Sequence, residues 1–273
     1  MYKVVVLTLS LLLTLAPALA KTDRASEAYL KNKHHFAIMN PLAENIIQKE
    51  IKKSLHKKTG ANFKVDFDAY TLSSLKQGVF KNLELESENI NIEGISVPYL
   101  HLKSLSDYNR LDYAQKPIKI KSDMTYFYEL NLTEDSINSA LKHSKYEKNI
   151  QKVNHKAYPL FTLHDVRVKI LKNRIYIIMD YNFPLAPRNK NKTFVASSGL
   201  KVENGKICAN NVGIDNIYGN LSLDKVTNLI NLLDPLSFTL SMLNTNDCKT
   251  KIENINIDDN IIKINGKIFI KGE

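Results

Sequence analysis

Beyond residue 60 the apolar side chains recur mostly at every second position. Phe63, Val65 and Phe67 alternate with Lys64, Asp66 and Asp68, the period of a strand with one face buried. After a short segment at 72–77, Gly78 leads into similar runs at 79–85, 90–92 and 95–102. Ile118, Ile120, Met124, Tyr126, Tyr128 and Leu130 share one parity, opposed by Lys119, Lys121, Asp123 and Glu129. Val166, Val168 and Ile170 do the same against Arg167 and Lys169. A Lys172-Asn173 turn then leads to Ile175, Ile177, Met179, Tyr181 and Phe183, and Pro184 and Pro187 end that strand. Asn204-Gly205 between two strands predicts a type I′ hairpin. Closing strands are predicted at 252–257, 261–264 and 268–270, joined by Asp258-Asp259-Asn260 and by Asn265-Gly266.

Helical spacing occurs in three places. Asn40-Pro41 supplies an N-cap and a first-turn proline. Leu42, Ile46, Ile47, Ile51 and Leu55 then follow on one face, Lys49, Lys52, Lys53, Lys57 and Lys58 on the others, and Gly60 ends the helix. Thr133-Glu134-Asp135 caps a short helix carrying Ile137, Ala140 and Leu141. Leu223, Val226, Leu229, Ile230 and Leu233 form the third, stopped near Asp234-Pro235. The basic stretch 142–156 reads as irregular. About ten strands and three helices, with tight turns and no Gly/Ser linker, predict one α+β domain with antiparallel pairing. Strands of this length favour an elongated, highly curved sheet or barrel with a covering N-terminal helix and two further short helices.

The N-terminus changes the setting. Lys3 precedes an apolar run, 4–15, and Ala18-Leu19-Ala20 completes the pattern of a secretory signal peptide cleaved after Ala20. The run is too short to span a bilayer. The predicted organisation is therefore a signal peptide at 1–20, a flexible leader at 21–39 and one domain at 40–273, exported to the periplasm or cell envelope. In that compartment Cys208 and Cys248 are either a disulfide pair or two unrelated thiols. A bridge would close a loop of 39 residues, worth roughly 4 kcal/mol in the chain-entropy model.

The chain carries 38 Lys+Arg against 28 Asp+Glu over 273 residues, and only five of the cations are Arg. This skew argues against bidentate reading of phosphates or bases and for diffuse attraction to an anionic surface. Two segments concentrate it: Lys49, Lys52, Lys53, Lys57 and Lys58, and Lys142, Lys145, Lys148, Lys152 and Lys156. Either they are solvated faces or they dock on anionic lipid headgroups. Aromatic residues do not interleave with these cations, which with export disfavours nucleic acid. No G-x-S-x-G, H-E-x-x-H, G-x-x-x-x-G-K or G-x-G-x-x-G occurs, and the seven His are scattered. No catalytic residue, metal or cofactor is therefore expected.

Three stretches resemble landmarks of the LmeA-like phospholipid-binding proteins. The first is 62–91, with Leu72 to Leu75, Gly78 and Phe80-Lys81-Asn82-Leu83-Glu84-Leu85. The second, Leu130-Asn131-Leu132-Thr133-Glu134-Asp135-Ser136-Ile137-Asn138-Ser139-Ala140-Leu141, is similar to that family's strand-to-helix segment, with Ser136-Ile137 where Asp-Leu is usual. The third is Leu229-Ile230-Asn231-Leu232-Leu233-Asp234-Pro235-Leu236, with Asp234 in place of Asn. Together they span about 40–272. The resemblance implies a barrel-like fold related to the TULIP lipid-transfer domains, with an apolar central cavity for phospholipid or a related lipid. It implies no catalytic role.

Strand parity then selects the cavity lining: Ile118, Ile120, Met124, Tyr126 and Tyr128, with Val166, Val168 and Ile170, with Ile175, Ile177 and Met179, and with Ile47 and Ile51 from the covering helix. The expected partners are a lipid and, peripherally, an anionic membrane. A non-catalytic structural or interaction module with a filled β core is the alternative, and a hydrolase of envelope polymers a more distant one.

Overall fold

The computed structural model describes residues 41–92, 94–112, 119–157, 161–185, 192–215, 233–243, 249–258 and 260–272. The predicted signal peptide and leader, the predicted third helix up to residue 232, Ile118 and Cys248 lie outside the described residues. Alternation dominates what remains. The order is α1 (Pro41–Thr59), β1 (Phe63–Asp68), α2 (Leu72–Lys76), β2 (Val79–Phe80), β3 (Asn82–Ile92), β4 (Ile95–Ser104), β5 (Asn109–Asp112), β6 (Lys119–Ile120), β7 (Met124–Thr133) and α3 (Glu134–Leu141). Then come α4 (Ser144–Ala157), β8 (Thr162–Leu171), β9 (Arg174–Asn182), β10 (Lys192–Glu203), β11 (Lys206–Asp215), α5 (Pro235–Leu243), β12 (Lys249–Asp258) and β13 (Ile261–Ile270).

The protein is α+β, with all strand pairs antiparallel. Six strands in the order β1-β3-β4-β7-β13-β12 make the first sheet, and β11-β10-β9-β8 the second. The third, β2-β5-β6, is small. Among the described residues no closed barrel forms. The physical reason is that the two large sheets end in separate edges: among the described residues a single backbone hydrogen bond, Ile252 N to Gly205 O at 3.1 Å, links them. That contact is made by the β10–β11 hairpin, whose tip is Asn204-Gly205 with φ of 52° and 75°, as the type I′ signal implied. The buried faces of both sheets nevertheless belong to one apolar cluster.

Helices fill the remaining gaps. On α1, Ile47, Ile51 and Leu55 recur every four residues and are all buried, and the helix packs on β1. Thr133 caps α3 through a capping box with Ser136. From there α3 touches β4, β7, β8, α4 and α5, between the two sheets. It also guards an edge. Strand β8 ends the second sheet, and its outward backbone groups are met by side chains. Asn138 Nδ2 donates to Val168 O (2.9 Å) while its Oδ1 accepts from Val168 N (2.8 Å). Asn154 of α4 does the same for Leu163, at 2.9 and 2.7 Å. Glu134 Oε2 accepts from Ile170 N at 3.3 Å. Each amide stands in for a neighbouring strand.

Four expectations are corrected. The stretch 142–156 is not irregular: it contains α4, because Tyr146, Ile150 and Val153 line one face among the lysines. Five helices are described, and four rather than two follow the first. Ile120 does not share a strand with Met124. It lies on β6 in the small sheet, paired with Leu111, because Lys121 N and Ser122 Oγ turn aside to bond Arg110 O and N. Asn265-Gly266 does not turn the chain, since β13 runs straight through it.

Candidate functional site

The interior is built from cross-strand pairs. In the second sheet Val166 faces Met179, Val168 faces Ile177 and Ile170 faces Ile175. In the first, Tyr126 lies opposite Ile268 on β13, and Tyr128 lies between Leu102 on β4 and Gly266 on β13. Eleven of the thirteen residues selected by parity belong to one large buried cluster. Ile120 packs against it half-buried, and Ile118 is outside the described residues. Parity also extends to partners that had not been singled out: Leu100, Ile262 and Ile264 from the first sheet lie in the same cluster. Ile137 of α3 and Leu236 and Leu240 of α5 complete it; their helical spacing within short segments was the available signal.

Burial here is nearly total. Met124, Tyr126, Tyr128, Val168, Ile170 and Met179 are each 1% exposed. Side chains so covered border no space that holds a water molecule, so around these six residues the interior is filled by side chains at close packing. Among the described residues it also carries no charge. Burial pushes the Tyr126, Tyr128 and Tyr146 hydroxyls well above the ordinary tyrosine value. Tyr126 donates to Met124 Sδ at 3.9 Å. Tyr146 donates to Leu233 O at 2.9 Å and stacks at a tilt on Phe238, with ring centroids 4.9 Å apart. All three hydroxyls stay protonated, and those of Tyr126 and Tyr146 act as neutral donors. A surface depression on α1, lined by Asn45, Ile46, Gln48, Lys49 and Lys52, is the outer side of that helix rather than an opening in the interior.

The basic segments sit on different sheets. On α1 Lys49, Lys52, Lys53, Lys57 and Lys58 are all exposed. On α4 Lys145, Lys148 and Lys152 form one exposed stripe opposite Tyr146 and Val153, with Lys142 exposed just before the helix. Lys156 is within α4. Helix α1 packs on β1, whereas α4 packs on β8, so the structure does not join the two segments through one element. Cys208 is a free, half-buried thiol on β11. Its prospective partner Cys248 lies outside the described residues.

Around Glu84 the outward face of the first sheet is polar and cross-linked. Glu84 Oε1 lies 2.8 Å from His101 Nε2, and its Oε2 lies 3.0 Å from Lys103 Nζ. Burial opposes the charge on Glu84, but hydrogen bonds from Lys103 and His101 outweigh it and hold the carboxyl below its ordinary range. Among the described residues no three His, Cys, Asp or Glu side chains gather as metal ligands. No described helix is long and apolar enough to cross a membrane. Comparison with known proteins finds no matching protein-family model, curated protein or solved structure.

Proposed function

We propose that this chain is an exported phospholipid-binding or lipid-transfer protein of the cell envelope, released by cleavage after Ala20, that houses acyl chains between its two large sheets. The observation that carries the reading is an apolar interior, uncharged among the described residues, shared by two sheets whose described strands do not close into a barrel. Parting them breaks one backbone hydrogen bond, Ile252 N to Gly205 O, and no ladder among the described residues. An entering chain exchanges side-chain contacts for acyl contacts, and each methylene taken from water contributes about 0.8 kcal/mol. The headgroup remains at the protein surface, in contact with water. The resemblance of three segments to LmeA-like proteins points the same way. Catalysis forms no part of this role.

Native mass spectrometry of the protein recovered from the envelope tests it. The expected spectrum carries adducts of one or more phospholipids, released on gentle activation, on a chain beginning at Lys21. A ligand-free chain supports the second reading, which the 1% exposure of Val168 and Met179 favours: a structural or interaction module with a filled β core.

A further inference from the structure

Cross-strand register places eight side chains in two adjacent rows on the outward face of the first sheet. One row reads Lys103, Phe127, Lys267 and Lys251 across β4, β7, β13 and β12. The next is Leu105, Thr125, Phe269 and Lys249, with Leu105 N donating to Thr125 O at 2.8 Å to extend the edge of β4. Residues directly opposite in antiparallel strands share a face. The block therefore holds three large apolar side chains and four cations, and no acid. Leu105 is 49% and Phe269 39% exposed, on positions where a polar outward face has no use for them. Phe127 is half-buried, its ring edge-on to His101 at 6.0 Å.

The charges around the block are unevenly spent. Glu84 takes Lys103 at 3.0 Å and Glu253 takes Lys267 at 2.7 Å. Asp123, just beyond the second row, accepts from Gly272 N at 2.8 Å. Lys249 and Lys251 are exposed and make no ion pair among the described residues. Apolar side chains pointing outward at the end of β4 and on β7 and β13, beside the free lysines of the β12 edge, complement a surface that is anionic outside and hydrocarbon beneath. A bilayer with acidic headgroups has that order, since lysines meet the phosphates while leucine and phenylalanine reach the acyl boundary. A folded acidic protein partner would satisfy the lysines and leave the apolar side chains against polar surface.

We propose that this block, rather than either basic helix, is the face that docks on an anionic bilayer; the inference rests on the reading that the protein works at a lipid surface. Flotation of the exported protein with vesicles of phosphatidylcholine, alone or with about 30% phosphatidylglycerol, tests it. The protein is expected to float with the anionic vesicles only. Lys249→Glu/Lys251→Glu and Leu105→Ser/Phe269→Ser are each expected to lower the bound fraction about ten-fold or more. Lys145→Glu/Lys148→Glu on α4 is expected to stay within about two-fold of the parent. All these positions are exposed, and an unchanged melting temperature accompanies the result. Parental binding by both sheet variants overturns the proposal, as does loss of binding in the α4 variant alone. Equal binding to neutral vesicles overturns it too. Should no vesicle bind while native mass spectra still show phospholipid, the docking face falls and the interior lipid site stands.

Discussion

Replacing Gly266 with valine is expected to destabilise the protein by about 4 kcal/mol or more, the range of a severe core defect. A Cβ at this position would lie 2.1 Å from Lys251 O, 2.9 Å from Ile252 Cα and 3.1 Å from Lys251 C. All three are backbone atoms, so no rotamer change relieves the contact. The cause is the bulge in β12, whose register shifts between Ile252 and Asn254 just where it passes Gly266. Even alanine must push β12 away from β13, and β12 carries the hydrogen bond that links the two sheets. Gly60 provides the comparison. It has a φ of +72° and nothing within 4 Å of its Cβ position, so Gly60→Ala meets only the left-handed backbone penalty of about 1–2 kcal/mol. Urea titration of the two variants should separate them clearly. A Gly266→Val midpoint equal to that of Gly60→Ala would contradict the close approach.

The second large effect is expected at the guarded edge. Asn138→Ala removes both hydrogen bonds to Val168, and Asn154→Ala both to Leu163. Each leaves a backbone N–H and C=O without its partner, at about 2–3 kcal/mol per site. The two sites sit on different helices and five residues apart on β8, so their costs should be roughly additive. The double variant is expected to lose about 4–6 kcal/mol. It also uncovers a strand edge, which invites pairing with a second chain. Size-exclusion chromatography should therefore show association at concentrations where the parent is a single species. A double variant as stable and as dispersed as the parent would show that α3 and α4 cover β8 without holding it.

Alternation made most of the fold legible. Phe63-Val65-Phe67, the 124–130 run and the paired Val166–Ile170 and Ile175–Met179 runs all became strands with the expected buried parity. Most of what failed shares one feature: the deciding contact is distant in sequence. Asn265-Gly266 has the composition of a hairpin turn, but its glycine serves the crossing of β12, which nothing within the dipeptide reveals. Parity runs unbroken from Ile120 to Met124, yet Arg110 draws the intervening residues out of the strand. In α4 the lysines outnumber Tyr146, Ile150 and Val153 and mask their helical spacing. The amide clamps on β8 leave no local trace either, because Asn138 and Val168 are thirty residues apart. For the candidate site, parity identified which side chains face inward. It carries no information on whether acyl chains can displace them, since a packed core and a lipid site alternate alike.

The chain contains no tryptophan, so Tyr126→Trp places a single reporter within the shared interior, where Tyr126 is 1% exposed. The decisive measurement is its emission in a complex purified away from vesicles, loaded with phosphatidylcholine brominated along the acyl chain. An acyl chain lying between the sheets touches the indole, and the expected result is loss of most of the emission relative to the same complex with unbrominated lipid. Equal emission from the two complexes, with the lipid present at one per chain, would place the lipid outside the apolar interior and contradict the proposed function.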